Sequence, residues 1–316
     1  MKTQETIQRA QVFRSFSKAA PHFRKHFDGR IQDPHSTNSD RFIWDLFDVP
    51  GQYLHLRTPL IGAFPEKWYA PILAELGTFG RTRLGCQHIS EPWVSAYTSG
   101  HFQNLHSDPA HGPFAFVLGL TPKNAKFIGG ETHVASEALI TPAAHSISLQ
   151  DQAREQSHFF ESYRLAVGDL LVFDSSLPHF VSQVSGARGL LDGRLVIHGW
   201  FTEPNAMIDL GNASAKASSK WIQSIDRSAQ LVSECLDSLQ CTRGYISLRF
   251  AISRTGVLRS VTTLACTARI NTGELIQPGS LQKQILKSFH GIDAGSLGFP
   301  ASKNGATFTL PFECRS

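Results

Sequence analysis

An all-β core with flanking helices, followed by a small α+β domain, is the fold class that three observations predict. From Pro92 to Phe201 short β-rich runs are separated by turn residues. Before that stretch, short helical patterns are interrupted by Pro and Gly, and after it a polar segment leads into a helix, hairpin, helix, strand pattern. Many short strands at close spacing favour a sandwich or barrel. At 316 residues with 41% hydrophobic content the chain is long for one domain and can bury a sizeable core.

Residues 1–85 are expected as a helical buttress. Phe64–Gly77 has a helical pattern and ends on Gly77 as its C-cap. Residues 86–203 are expected as the β core, with strands at Trp93–Tyr97, Phe114–Leu120, Gly130–Val134, Ser146–Leu149, Tyr163–Val167, Asp169–Phe173 and Arg194–Phe201. Residues 204–220 crowd small polar residues without apolar periodicity and read as a linker. In residues 221–316, Trp221, Ile225, Val232, Cys235, Leu236 and Leu239 recur at helical spacing. Ile246, Leu248, Phe250 and Ile252 then alternate with polar residues ahead of a turn at Arg254-Thr255-Gly256 and a strand to Cys266. A second helix is expected from Ser280 as N-cap, with Leu281, Ile285, Leu286 and Phe289 on one stripe. The chain closes on alternating Phe308, Leu310 and Phe312.

Lys and Arg exceed Asp and Glu by four with both signs scattered, which gives no reason to expect a nucleic-acid partner. The first residues lack the apolar stretch of a secretory signal, and no run of apolar residues is long enough to span a bilayer, so a cytoplasmic location without membrane attachment is expected. None of the five cysteines forms a Cys-x-x-Cys pair. Neither zinc nor a disulfide framework is expected, and most should be small buried hydrophobes.

The chemistry-bearing residues lie between Tyr97 and Trp200: His106-Ser107-Asp108, then His179 in Pro178-His179-Phe180, then Arg194. In a strand, residues i and i+2 share a face, so His106 and Asp108 can reach one ion while Ser107 turns away. Two imidazoles and one carboxylate leave the opposite positions of a ferrous ion free. A His-x-acid triplet is expected about once by chance with 14 histidines and 26 acids. His26-Phe27-Asp28 is such a case, and reads as solvated surface in a charged segment.

Other motifs surround His106-Ser107-Asp108 in order: Tyr97-x-x-Gly100 before it, Phe114–Leu120 with Gly129-Gly130-Glu131-Thr132 after it, then Gly168–Phe173 with Pro178-His179, and Arg194 with Gly199-Trp200-Phe201. Over these residues the chain resembles the prolyl-hydroxylase-like branch of the 2-oxoglutarate and Fe(II)-dependent dioxygenases. That resemblance implies a double-stranded β-helix, or jelly roll. It also implies His106, Asp108 and His179 as ligands of Fe(II), 2-oxoglutarate and O2 as cosubstrates, ascorbate as a reductant, and Arg194 as the cation for the far carboxylate of 2-oxoglutarate, with Tyr97 adding a phenolic hydrogen bond. Guanidinium suits the anchor because it is planar, permanently charged and pairs with a carboxylate through two hydrogen bonds. Arg188, in the turn between His179 and Arg194, is a rival anchor. Val196 stands where many relatives carry a hydroxyl residue. Asp108 is present where halogenating relatives lose the carboxylate, which favours hydroxylation.

The remaining histidines near the motifs, His88, His101, His111, His133 and His198, read as satisfied surface or core groups, Asp169 and Asp174 as turn-formers, and Trp200 and Phe201 as core. Residues 221–316 resemble the C-terminal domain of TonB-like energy transducers in texture, through Gly244, Phe250, Ile252, Gly256, Phe299-Pro300 and the closing strand. The implied role is interaction with a protein partner or dimerisation. The expected function is hydroxylation of an unactivated C–H bond in an amino-acid residue, peptide or small metabolite. The rivals are a non-catalytic jelly-roll binding module and a cupin-like metalloenzyme that needs no 2-oxo acid, in which Arg194 would have no role.

Overall fold

The computed structural model describes residues 5–32, 43–140, 159–210, 218–290 and 297–315. They form two compact units: Ala10–Phe79 with His88–Thr202, and Met1–Arg9 with Gly80–Gln87 and Glu203–Ser316. In chain order the elements up to residue 204 are β1 (Ala10–Phe13), α1 (Ala20–Gln32), β2 (Asp45–Val49), β3 (Tyr53–Pro59), α2 (Glu66–Phe79), β4 (Cys86–Ile89), β5 (Trp93–Tyr97), β6 (Phe102–His106), β7 (Phe114–Gly119), β8 (Thr132–Ala135), α3 (Glu137–Ile140), β9 (Phe160–Tyr163), β10 (Leu170–Asp174), β11 (His179–Val181) and β12 (Arg194–Pro204).

In the larger unit the strands run in the order β1-β10-β7-β12-β5-β3-β6-β11-β8-β9. Strand β3 joins the two halves of that path. Its C-terminal part pairs with β5 (Leu56↔Ala96) and its first residues pair with β6 (Tyr53↔Gln103). The result is a nearly closed antiparallel jelly roll, the double-stranded β-helix. β7 and β10 lie in its interior and are buried along their whole length. They therefore read as continuous apolar runs instead of alternating ones.

The N-terminal region departs from the expected helical buttress, because β1, β2 and β3 all join the sheet. Val49-Pro50-Gly51-Gln52 closes the β2–β3 hairpin: the Gln52 amide donates to the Val49 carbonyl at 2.8 Å, and Gly51 takes φ +74°. Pro and Gly at the two central positions suit a turn that needs positive φ at its third residue. Helix α1 begins where the Ser17 hydroxyl accepts from the Ala20 amide at 2.9 Å, and it buries Ala20, Phe23, Arg24 and Phe27 on one stripe. Of His26-Phe27-Asp28, expected as solvated surface, His26 is exposed and stacks on Trp68, Asp28 is half-buried and pairs with Arg24 at 2.8 Å, and Phe27 is buried on the helix's inner stripe. In α2 the buried Leu76 and Phe79 carry the helix past Gly77 to Phe79, so Gly77 is not its cap.

Predicted strands at Trp93–Tyr97, Phe114–Leu120, Asp169–Phe173 and Arg194–Phe201 match β5, β7, β10 and β12 to within a few residues at the ends. Gly130–Val134 shifts to β8, and Tyr163–Val167 gives way to β9, which ends at Tyr163. The Ser146–Leu149 strand lies outside the described residues.

The smaller unit adds β13 (Met207–Asp209), α4 (Ser219–Ser238), β14 (Cys241–Ile252), β15 (Leu258–Cys266), β16 (Arg269–Ile270), α5 (Pro278–His290) and β17 (Ala306–Arg315). Its sheet order is β13-β17-β14-β15, with β16 beside β14. The core joins Trp221 and Val232 of α4, Leu281 and Ile285 of α5, and Leu248, Phe250 and Phe308 of the sheet. Part of the expected linker is structured, since Met207–Asp209 pairs with Thr307–Thr309; residues 211–217 of it lie outside the described residues. Ser280 is inside α5 and does not cap it. Cys86, Cys235 and Cys266 are buried thiols, whereas Cys241 and Cys314 form a disulfide. The cysteine spacing gives no reason to expect a disulfide framework, and this one bond departs from that reading. The two cysteines are distant in sequence and meet only because β17 returns beside β14, which spacing does not disclose. Among the described residues no helix is long and apolar enough to cross a membrane.

Candidate metal centre

His106 ends β6, His179 opens β11, and the two are direct partners in the ladder between those strands. Their rings lie 4.2 Å apart at 55°. Asp108 sits just past the end of β6, its amide donating to the Ser175 carbonyl at 2.8 Å. Expectation and structure differ here in detail, because the i, i+2 relation operates across a strand end. Asp108 Oδ2 nevertheless lies 4.0 Å from His106 Nε2 and 3.5 Å from His179 Nε2, and all three ligand atoms fall within 4.8 Å of one another.

The protonation pattern follows from the backbone. His106 Nδ1 is 2.7 Å from the Asn104 carbonyl, and His179 Nδ1 is 2.9 Å from the Leu177 carbonyl. A carbonyl can only accept, so each Nδ1 carries its hydrogen and donates it. With the hydrogen on Nδ1 engaged by the backbone, the Nε2 atom of each ring is turned to the carboxylate. Burial, and then His179, lower the His106 imidazole below its ordinary value, which keeps it neutral. Burial alone would raise Asp108, but the His179 hydrogen bond and the charges of His179, His106 and His111 outweigh it and hold the carboxyl low. Two imidazole Nε2 atoms and a carboxylate oxygen thus converge, and a divalent cation taking the place of a shared proton suits that donor set.

The three residues line a cavity of about 480 Å³. Arg194 of β12 and Tyr97 of β5, paired in register, line the same cavity. Arg194 is 5% exposed, Tyr97 1%. The guanidinium stacks on the Tyr97 ring with Cζ 4.5 Å from its centre, and Nη2 donates to Thr132 Oγ1 at 3.0 Å. Nη1 is buried without a hydrogen-bond partner. An uncompensated buried cation costs several kcal/mol, so an acceptor is expected there when the site is filled. Gly130 makes room for it. At φ +75° a Cβ on Gly130 would come within 3.2 Å of Arg194 Cδ and 2.9 Å of Val184 Cγ2. Arg188 is exposed and does not line the cavity; Val196 does.

Several lining residues escaped the sequence reading. Tyr53, His55 and Arg57 alternate along β3 and all face the cavity. The Pro-Gly turn before them was the available signal. His55 is 1% exposed, stacks on Tyr97 with ring centres 4.8 Å apart, and leaves Nδ1 unpartnered. Burial, followed by His198, Arg194, Arg57 and His101, drives its imidazole down to about 3. His198, half-buried, also lines the cavity; it is bonded to Ser95 Oγ at 2.8 Å, and burial takes its imidazole to about 4. Trp200, expected as plain core, also lines the cavity. It stacks on His111 at 4.3 Å, and its Nε1 is buried without a partner. His133, away from the cavity, stacks on Phe180. Asp169 accepts from the Ser15 and Ala166 amides, and Asp174 from Ser176, as turn-formers do.

No family model matches the sequence, and no curated protein does. Among solved structures the chain is similar to a prolyl-4-hydroxylase from Pseudomonas putida at 14% identity, covering 62% of this chain and 92% of that one, with a TM-score of 0.42. It is similar to a prolyl hydroxylase from Trichoplax adhaerens, solved with a hypoxia inducible factor peptide fragment, at 12% identity, 61% and 83% coverage, and a TM-score of 0.43. It is also similar to HygX from Streptomyces hygroscopicus, solved with nickel, 2-oxoglutarate and hygromycin B, at 15% identity, 61% and 82% coverage, and a TM-score of 0.40. These are likenesses of fold at low identity, and the functional reading rests on the chain's own side chains.

Proposed function

We propose that the chain is an Fe(II)- and 2-oxoglutarate-dependent dioxygenase that hydroxylates an unactivated C–H bond of an amino-acid residue, peptide or small metabolite. The observation that carries this reading is the convergence of His106 Nε2, His179 Nε2 and the Asp108 carboxylate in one cavity with a buried, part-unpartnered Arg194. His106, Asp108 and His179 are the residues that would hold the metal, and Arg194 the far carboxylate of 2-oxoglutarate. When bound, the metal and 2-oxo acid together activate O2, with 2-oxoglutarate leaving as succinate and CO2.

Each side chain has a separable task. The Asn104 and Leu177 carbonyls fix the tautomer of the two imidazoles and orient their rings. Asp108 supplies one negative charge where a chloride would otherwise be needed, which favours hydroxylation over halogenation. Arg194 Nη1 and the Thr132 hydroxyl, which accepts from Nη2 and keeps its own hydrogen, would both donate to a carboxylate. Burial raises the Tyr97 phenol while Arg194 pulls it the other way, so it remains a protonated donor. Buried Phe173 and Val181, with Val196, wall the site and keep water out.

A binding module without catalysis would have no use for this unpaired donor set, and a metalloenzyme independent of a 2-oxo acid would have none for Arg194. The test is succinate formation by the purified chain with Fe(II), ascorbate and 2-oxoglutarate. The reading predicts slow turnover even without substrate; no succinate with or without a substrate panel would contradict it. For residues 221–316 we propose a partner-binding or dimerising role, tested by sedimentation of the full chain; a monomer that captures no partner would contradict it.

A further inference from the structure

The inner face of β3 carries a second cation into the cavity. Tyr53, His55 and Arg57 line it in succession, and Tyr53 meets the His106 ring edge-on with centroids 5.1 Å apart. The row therefore leads from the metal ligands to Arg57. There the guanidinium carbon lies 3.6 Å from the centre of the Phe47 ring and 4.5 Å from that of Trp93. Phe47 and Trp93 also line the cavity. Two ring faces fix and partly desolvate a cation while offering no acceptor in the plane of its N–H groups. Among the described residues Arg57 makes no hydrogen bond or ion pair. Asp45, its register partner on β2, acts on it only through its charge. His55, between Arg57 and Arg194 in the wall, is neutral at ordinary pH and supplies no counter-charge.

We propose that the substrate carries a free carboxylate and that Arg57, held between Phe47 and Trp93, binds it. This rests on the reading of the cavity as an oxygenase site and narrows its substrate class. A guanidinium fixed by ring stacking presents its N–H groups edge-on, which suits a planar two-oxygen acceptor. Arg194 and Arg57 then take different acids: the first, fully buried, takes the cosubstrate, and the second, partly exposed, takes the substrate. An internal residue of a neutral peptide leaves Arg57 without a partner, whereas a free acid or a chain-terminal carboxylate satisfies it.

The experiment is binding of a matched set of N-acetyl amino acids and their primary amides to the whole chain, followed by ligand-observed NMR. Mn(II) and saturating 2-oxoglutarate are present so that Arg194 is occupied. At least one acid should bind about tenfold or more tightly than its amide, the range expected of a charge-assisted pair. Arg57→Gln should erase the difference, and Arg57→Lys, which keeps the charge without the planar fork, should retain part of it. If no acid outbinds its amide, or if the preference survives Arg57→Gln, the proposal is overturned. Succinate formation by the wild type is measured in parallel. Acid-selective binding without succinate would remove the oxygenase reading and leave the carboxylate site; succinate without acid selectivity would do the reverse.

Discussion

Arg194 and Tyr97 are direct partners across the β5–β12 ladder, and the guanidinium carbon lies 4.5 Å from the centre of the Tyr97 ring. The ring buries one side of the cation, and Nη1 is left to find an acceptor. Arg194→Ala should raise the 2-oxoglutarate KM by roughly hundredfold, the worth of a buried charge-assisted pair. Tyr97→Phe keeps the ring and should cost about tenfold or less, and Arg188→Ala should change nothing. Steady-state succinate assays on the three variants decide the order; a KM effect from Arg188→Ala instead would move the anchor.

Gly130 guards the space beside that anchor. At φ +75° any other residue is strained, and a Cβ would press on Arg194 Cδ and Val184. Gly130→Ala should lower stability by about 1–3 kcal/mol and also raise the 2-oxoglutarate KM by displacing the guanidinium. Thermal melting together with the KM separates the two effects. A variant that loses stability with the KM unchanged would mean that Arg194 is not the cosubstrate anchor.

Acid sensitivity has a stated origin. His55 and His198 fall from 6.5 to about 3 and about 4 in the folded chain, chiefly through burial. The unfolded chain binds those protons first, so the stability they contribute is complete above about pH 6.5. It is lost as the pH falls toward 4 and then 3. Each pKa step is worth about 1.4 kcal/mol, so the loss is on the order of several kcal/mol. Replacing His55 with Phe should flatten the acid limb of a denaturant-midpoint curve; an unchanged slope between pH 6.5 and 4 would contradict the assignment.

The Cys241–Cys314 bond closes a separation of 73 residues in the smaller unit. Loop-closure entropy for that length amounts to about 4 kcal/mol. The Cys241→Ser, Cys314→Ser double variant should lower the melting temperature of the smaller unit while leaving Mn(II) binding in the larger one unchanged. Non-reducing mass analysis with thiol labelling checks the pairing itself, and five labelled thiols under non-reducing conditions would refute it.

Much of the site was legible because its chemistry is carried by residue types in a fixed order. His106, Asp108, His179 and Arg194 could be picked out before any fold was known, and the structure brings all four to one cavity. The strands β5, β7, β10 and β12 were legible because interior strands read as apolar runs with sharp ends. β6 and β11 were not, although they carry the two imidazoles: Phe102–His106 has no buried residue and no apolar run to mark it, and His179–Val181 is too short for a period to appear. The wall formed by Tyr53, His55 and Arg57 was missed for another reason. A strand among helices was read as part of a helical region, and only pairing with β5 and β6 turns its alternating face inward. The disulfide was hidden because tertiary return, and not spacing, brings Cys241 to Cys314.

The claim on which the rest depends is that His106, Asp108 and His179 bind one divalent ion together. Calorimetric titration of the metal-free chain with Mn(II) tests it most directly. One equivalent should bind to the wild type, and His106→Ala and His179→Ala should each weaken it by at least tenfold, with retained circular dichroism showing the variants folded. Equal affinity in wild type and both variants, or no stoichiometric binding at all, would contradict the account.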